Sequence, residues 1–214
     1  MGGIIFDMDG VLIDSQPLHF QAEKKTITHF GYPITTEELK YYLGWREEEF
    51  WQDVIKRYSL STTVEEMKKF EHPVMEDLLR EHSKPDKSLQ NLLSLFKKRG
   101  IVLAVASSAP RNFLDIVLAG LGIKKFFDIV ICGTDVERGK PEPDIFLIAA
   151  KRMKLRPEDC VVVEDAPSGI QAANSAGMFS IALKGHVNSN LDLSKADAII
   201  ESLEELPEIL HFNQ

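Results

Sequence analysis

Gly3-Ile4-Ile5-Phe6-Asp7-Met8-Asp9-Gly10 decides how the rest of the chain is read. The apolar run 3–6 is too short for a helix and suits a strand buried on both faces. It ends in Asp-x-Asp. Comparable apolar runs recur at 101–106, 126–131, 160–163, 179–183 and 198–200. From residue 101 onward they alternate with helical patterns, and one such pattern also precedes them. Leu89, Leu92, Leu93 and Phe96 fall at i, i+3, i+4, i+7, and Gly100 closes that helix. Pro143 opens another helix, with Phe146, Ala149 and Met153 on one face. Pro167 opens a third, which Gly177 ends, and Ser202 with Glu205 has capping-box spacing for the last. Continuous apolar strands alternating with helices predict an α/β fold: a Rossmann-like parallel sheet covered on both faces.

Residues 16–84 read differently, with no strand pattern. Phe50, Trp51, Val54, Ile55 and Tyr58 make one helical stripe. Val64, Met67 and Phe70 make another, which Val74, Met75, Leu78 and Leu79 continue beyond Pro73. Trp51 and Phe50 are expected in the core of this block. Asp14-Ser15-Gln16-Pro17 and Ser83-Lys84-Pro85-Asp86 bracket it as hinges. The predicted organisation is therefore a discontinuous α/β core, 1–14 and 85–214, with an all-helical domain, 15–84, inserted after the first strand.

Composition bounds the function. The chain has 214 residues, 44% hydrophobic and 27% charged, which is ordinary for a globular protein and argues against disorder. The formal charge is −8 and the sequence pI near 5.3, so nucleic acid is a poor partner. An anionic substrate would need local attraction. Cys132 and Cys160 share no short spacing and are read as small buried thiols, which favours a reducing cytoplasm. No apolar run reaches 18 residues, so no membrane span is expected. The N-terminus lacks a signal peptide's basic start, and Phe6 stands where a myristoylation motif wants Ser or Thr.

In an open parallel sheet, ligands bind beyond the carboxyl ends of the strands. Asp7-Met8-Asp9-Gly10 follows the first strand and Ser107-Ser108 the second. Gly139-Lys140-Pro141 follows the third after a loop, and Glu164-Asp165 follows the fourth. Clustered acids without a cation would repel one another. Mg²⁺ takes such hard oxygen ligands, typically one or two carboxylates together with waters and substrate phosphate.

Asp7-Met8-Asp9-Gly10-Val11-Leu12, Ser107, Lys140 in Gly-Lys-Pro, and Glu164-Asp165 resemble the four ordered motifs of the haloacid dehalogenase superfamily. The chain is most similar there to the subgroup of β-phosphoglucomutases and small-molecule phosphatases that carry a helical cap. The resemblance implies that Asp7 is a nucleophile forming an aspartyl-phosphate and that Asp9 moves protons to the leaving oxygen and from water. It implies a phosphoryl-binding hydroxyl on Ser107, or on Ser108, although either also reads as a helix cap. Lys140 would offset charge in the transition state. Mg²⁺ would be held by Asp7, Asp9 (through its main-chain carbonyl) and Asp165, with Glu164 direct or through water. Gly10 reads as a phosphate cradle or a turn.

In the cap, His19 stands ten residues after Asp9, where cap-bearing mutases have a histidine. Arg46, in Gly44-Trp45-Arg46, resembles their phosphate-binding arginine, with local spacing one residue shorter. No counterpart of the mutases' late cap lysine is found near Met75-Glu76. Asp9 argues against dehalogenases and phosphonate hydrolases, which lack that second acid. The expected function is a Mg²⁺-dependent phosphatase of small phosphorylated metabolites, sugar phosphates first. The β-phosphoglucomutase reaction is the alternative, and a non-catalytic phospho-accepting or binding domain a remote third. The expected state is a cytoplasmic monomer or weak homo-oligomer, without membrane or nucleic-acid partners.

Overall fold

The computed structural model describes residues 2–45, 47–185 and 191–210. The chain forms two compact units: Met1–Asp14 with Ser83–Gln214, and Ser15–His82.

The first unit is built on a six-stranded, all-parallel sheet. Its strands are β1 (Gly3–Phe6), β2 (Val102–Ala106), β3 (Ile129–Ile131), β4 (Cys160–Glu164), β5 (Phe179–Leu183) and β6 (Ala198–Ile200). Their order is β3-β2-β1-β4-β5-β6, which places β1 at the centre. Every residue of β1 and β4 is buried, as expected for strands covered on both faces. Ile5, Ala104 and Val162 pack with Phe146, Ala149 and Ala172 on one side. On the other, Phe6 meets the edge of Phe127, ring centroids 6.1 Å apart.

The second unit contains α1 (Gln16–His29), α2 (Thr36–Lys40), α3 (Glu47–Arg57) and α4 (Val64–His82). Its core gathers Ile27, Ile34, Leu39, Tyr42, Phe50, Trp51, Val54 and Met67. Trp51 and Phe50 are thus core residues, as their stripe requires. α4 runs through Pro73 without a break, although a proline there leaves one carbonyl a turn earlier without its helical donor.

The remaining helices are α5 (Lys87–Lys98), α6 (Arg111–Gly120), α7 (Asp144–Met153), α8 (Pro167–Ser175) and α9 (Leu206–Ile209), all in the first unit. Pro143 stands at the start of α7, Pro167 opens α8, and Gly177 follows it with φ of 72°. The helical unit ends at His82 rather than at residue 84, and two elements differ in kind from the sequence reading. Residues 126–131 do not all extend: Lys124–Phe126 is a 3-10 turn, and β3 begins at Ile129. The Ser202–Glu205 capping box is formed, but on a 3-10 turn that leads into the short α9. Cys132 and Cys160 are buried free thiols. Among the described residues no helix is long and apolar enough to cross a membrane.

Candidate active site

Strand register assembles the site. Phe6 lies opposite both Val105 of β2 and Val163 of β4. The next residue on each strand therefore emerges at one level: Asp7, Ala106 and Glu164. Lys140, from the loop after β3, inserts its ammonium among these three. Its Nζ donates to Asp7 Oδ1 at 2.5 Å, to Glu164 Oε1 at 2.6 Å and to the carbonyl of Ala106 at 3.3 Å. All three side chains are more than nine-tenths buried. Lys140 also lies 5.0 Å over the ring of Phe146.

Glu164 has both carboxylate oxygens engaged. Oε1 accepts from Lys140, while Oε2 accepts from the backbone amides of Asp165 (2.8 Å) and Ala166 (2.9 Å). Gly169, in the first turn of α8, makes room for it: a β-carbon there would overlap the Glu164 carboxylate. Asp165 is placed in the same way against Gly10, where a β-carbon would overlap the Asp165 carboxylate. Gly10 has φ of 72°, a left-handed conformation glycine adopts without a steric cost. The turn is closed by the Gly10 amide on the Ile13 carbonyl and by the amides of Val11, Leu12 and Ile13 on the carbonyl of Met8. This tight turn carries Asp9 just past the strand.

Ser107 is buried. Its hydroxyl lies 3.5 Å from Asp9 Oδ2 and accepts from the Ala109 amide at 3.1 Å. The hydroxyl therefore caps the following turn and meets Asp9 at once. Asp7, Asp9, Gly10, Ser107, Lys140, Glu164 and Asp165 are thus brought together. Ser108 is exposed on the turn after β2. His19 sits on α1 in the helical unit, beside Glu23 and Glu71. Arg46 lies outside the described residues.

The electrostatics call for more positive charge than Lys140 supplies. Burial pushes the Asp7 carboxyl up to about 7; Lys140 pulls it down, while Glu164 and Asp9 push it further up. Burial, then Glu164, Asp7 and Asp9, raise Asp165 to about 8. Burial opposes the charge on Lys140, but Asp7 and Glu164 outweigh it and hold the ammonium above the ordinary lysine range. Two buried carboxyls whose charged forms are disfavoured by burial and by each other fit a divalent cation, which favours those charged forms. No three side chains of this cluster bring ligand atoms within 4.8 Å of one another.

Sequence reasoning had no means of seeing the Ala106 carbonyl, a main-chain group. It also took Glu164 chiefly for a ligand and missed its hold on Lys140. The glycine at position 169, three residues after a strand-end turn, was the available signal for that packing.

Residues 4–183 match the family model described as haloacid dehalogenase-like hydrolase. A phosphorylated carbohydrates phosphatase from Thermotoga maritima is 33% identical over 216 residues, covering 98% of this chain and all of the relative. A β-phosphoglucomutase from Bacillus subtilis is 32% identical over 222 residues, covering 99% of this chain and 94% of its own. The crystal structure of a β-phosphoglucomutase from Clostridium difficile superposes with a TM-score of 0.82 at 28% identity, covering 99% and 96% of the two chains.

Proposed function

The chain belongs to the haloacid dehalogenase-like hydrolase family, and we propose that it hydrolyses small phosphorylated metabolites, sugar phosphates first, through an aspartyl-phosphate on Asp7. The observation that carries this reading is the buried Asp7–Lys140–Glu164 arrangement at the carboxyl end of the central strand. A carboxylate held by a buried ammonium has a fixed direction of attack and a fixed charge beside it.

Asp7 attacks phosphorus with the carboxylate oxygen that Lys140 leaves open. Lys140 stays protonated and offsets the charge that builds on the phosphoryl oxygens. Ser107 donates its hydroxyl to one of those oxygens, and Gly10 and Ser108 are the other proposed phosphate contacts. Asp9 protonates the departing oxygen, then takes a proton from the water that hydrolyses the aspartyl-phosphate. Glu164 orients Lys140 and, through water, completes the metal environment. Mg²⁺ would be held by the carboxylates of Asp7 and Asp165 and the main-chain carbonyl of Asp9; when bound it supplies positive charge to the transferring phosphoryl group. The helical unit is proposed as the cap that sets substrate choice, with His19 and Arg46 as its substrate contacts. The cytoplasm is the proposed compartment.

The likeness to a β-phosphoglucomutase supports a second reading, in which the same aspartyl-phosphate is passed back to sugar. A panel of sugar phosphates, including β-glucose 1-phosphate, assayed for free phosphate and for isomerised sugar phosphate, separates the two. Free phosphate as the main product is expected. Isomerised product in excess of phosphate makes the chain a mutase, and neither product with any member rejects the substrate class.

A further inference from the structure

We propose that Glu47, Glu71 and His72 form a binding site for a divalent transition-metal ion such as Zn²⁺, made of residues of the helical unit alone. Glu47 opens α3, and Glu71 and His72 lie near the middle of α4, against which α3 packs. One ligand atom from each comes within 4.8 Å of the other two. His72 Nε2 is 3.6 Å from Glu47 Oε1 and 4.0 Å from Glu71 Oε2. Ligand atoms about 2.0–2.1 Å from a tetrahedral Zn²⁺ lie about 3.3 Å apart. The two His72 contacts therefore need to close by less than about 1 Å, and the Glu47–Glu71 pair, within 4.8 Å, by at most about 1.5 Å.

A second observation points to a cation. Glu71 lies on the buried side of α4 with its side chain only 7% exposed. Among the described residues no hydrogen bond reaches its carboxylate, and the basic groups beside it are two imidazoles, His72 at 4.0 Å and His19 of α1. A buried carboxylate without a donor is costly to keep charged, and a bound cation removes that cost. Glu23 and Glu47 add negative potential at the same place. Lys68 offsets part of that potential, but its ammonium binds Glu47 Oε2 at 3.1 Å and Glu48 at 3.2 Å, away from the Glu47 oxygen that faces His72. That contact orients Glu47 as outer-shell partners do for ligating carboxylates. One imidazole and two carboxylates, with no thiol, select Zn²⁺, Co²⁺ or Mn²⁺ over Mg²⁺. An ion here ties the first turn of α3 to the middle of α4.

The test uses the full-length chain in excess Mg²⁺. Co²⁺ is titrated and followed by its visible absorption, and Zn²⁺ by calorimetry. One equivalent with nitrogen–oxygen ligation is expected. Glu71→Gln and His72→Ala should each weaken it at least about tenfold, the effect of losing even an outer-shell partner. Glu47→Gln, on an exposed side chain, should weaken it likewise and cannot act by unfolding the core. Zn²⁺ should raise the melting temperature of the parent chain but not of these variants. Asp7→Asn with Asp165→Asn should leave the Co²⁺ signal intact. No Co²⁺ binding by the parent chain, equal binding by the three helical-unit variants, or loss of the signal in the Asp7/Asp165 variant would each overturn the proposal.

Discussion

Lys140 has three oxygen partners within 3.3 Å and almost no solvent. Replacing it removes the only ammonium those oxygens share. Lys140→Ala is expected to lower kcat/KM by about 3–4 kcal/mol, the scale of losing one preorganised donor. It should also cost about 3–5 kcal/mol of stability at pH 8, because Asp7 and Glu164 are left buried and unpaired. Urea unfolding at pH 8 and pH 5 checks the second effect, which should shrink at pH 5 as the acids protonate. A loss of only a few fold in kcat/KM would place Lys140 outside the chemistry. Gly169→Ala tests Glu164 without touching it. The added methyl displaces the Glu164 carboxylate, so a strain of about 1–3 kcal/mol is expected, together with a fall in kcat, because Lys140 loses its second anchor. Unchanged kcat would mean that Glu164 has no part in holding Lys140. At this scale the gathering of Asp7, Lys140 and Asp165 at one place was legible, because chemistry-bearing side chains follow the apolar runs, directly after β1 and β4 and by a loop after β3. It did not separate the tasks of Glu164 and Asp165. That separation depends on how the turn after β4 presents its two amides, which residue types alone do not encode.

The strands were legible because parallel strands buried on both faces must be apolar throughout, and each ends where a polar residue begins. β3 is shorter than its apolar run for a local reason. Lys124–Phe126 is a 3-10 turn, and Asp128 turns its carboxylate to the Leu103 amide (3.3 Å) and to Lys97 (2.6 Å) while its own amide donates to the Leu103 carbonyl (2.9 Å), so the regular register begins at Ile129. The helix expected after β2 starts later than Ser107 or Ser108 could cap it: Pro110 occupies the N-cap of α6, and no side chain caps it. Glu23 and Glu71 were invisible: a carboxylate on a helix reads as a solvated face, and tertiary packing overrode that reading. α5 does carry a readable cap. Asp86 Oδ1 accepts from the Leu89 amide at 3.0 Å, and Asp86→Ala is expected to cost about 1 kcal/mol. A urea midpoint displaced without a change in slope would agree. No displacement would show that the helix is held by packing alone.

The charge distribution of the whole chain predicts how its stability depends on pH. Folding raises Asp7 from 3.8 to about 7, Asp165 from 3.8 to about 8, and Glu23 and Glu71 from 4.5 to about 7, in each case chiefly by burial. Between about pH 4 and pH 8 the folded state therefore keeps protons that the unfolded chain releases. Metal-free stability is highest at the acid end of that window and falls as pH rises through it. The proposed Mg²⁺ site requires deprotonated Asp7 and Asp165, so the rise in melting temperature that Mg²⁺ produces should grow with pH over the same window. Melting temperatures taken with and without Mg²⁺ from pH 5 to 9 check both trends, and a Mg²⁺ effect that is constant with pH would contradict the assignment of those two acids. The covalent step on Asp7 is tested most directly by mixing the chain with a sugar phosphate and Mg²⁺, quenching in acid within one turnover, and weighing the peptide that contains Asp7. The account predicts the added mass of one phosphoryl group on Asp7, and none anywhere in Asp7→Asn. A competent enzyme whose Asp7 peptide never gains that mass, or that carries the phosphoryl group on another residue, would contradict it.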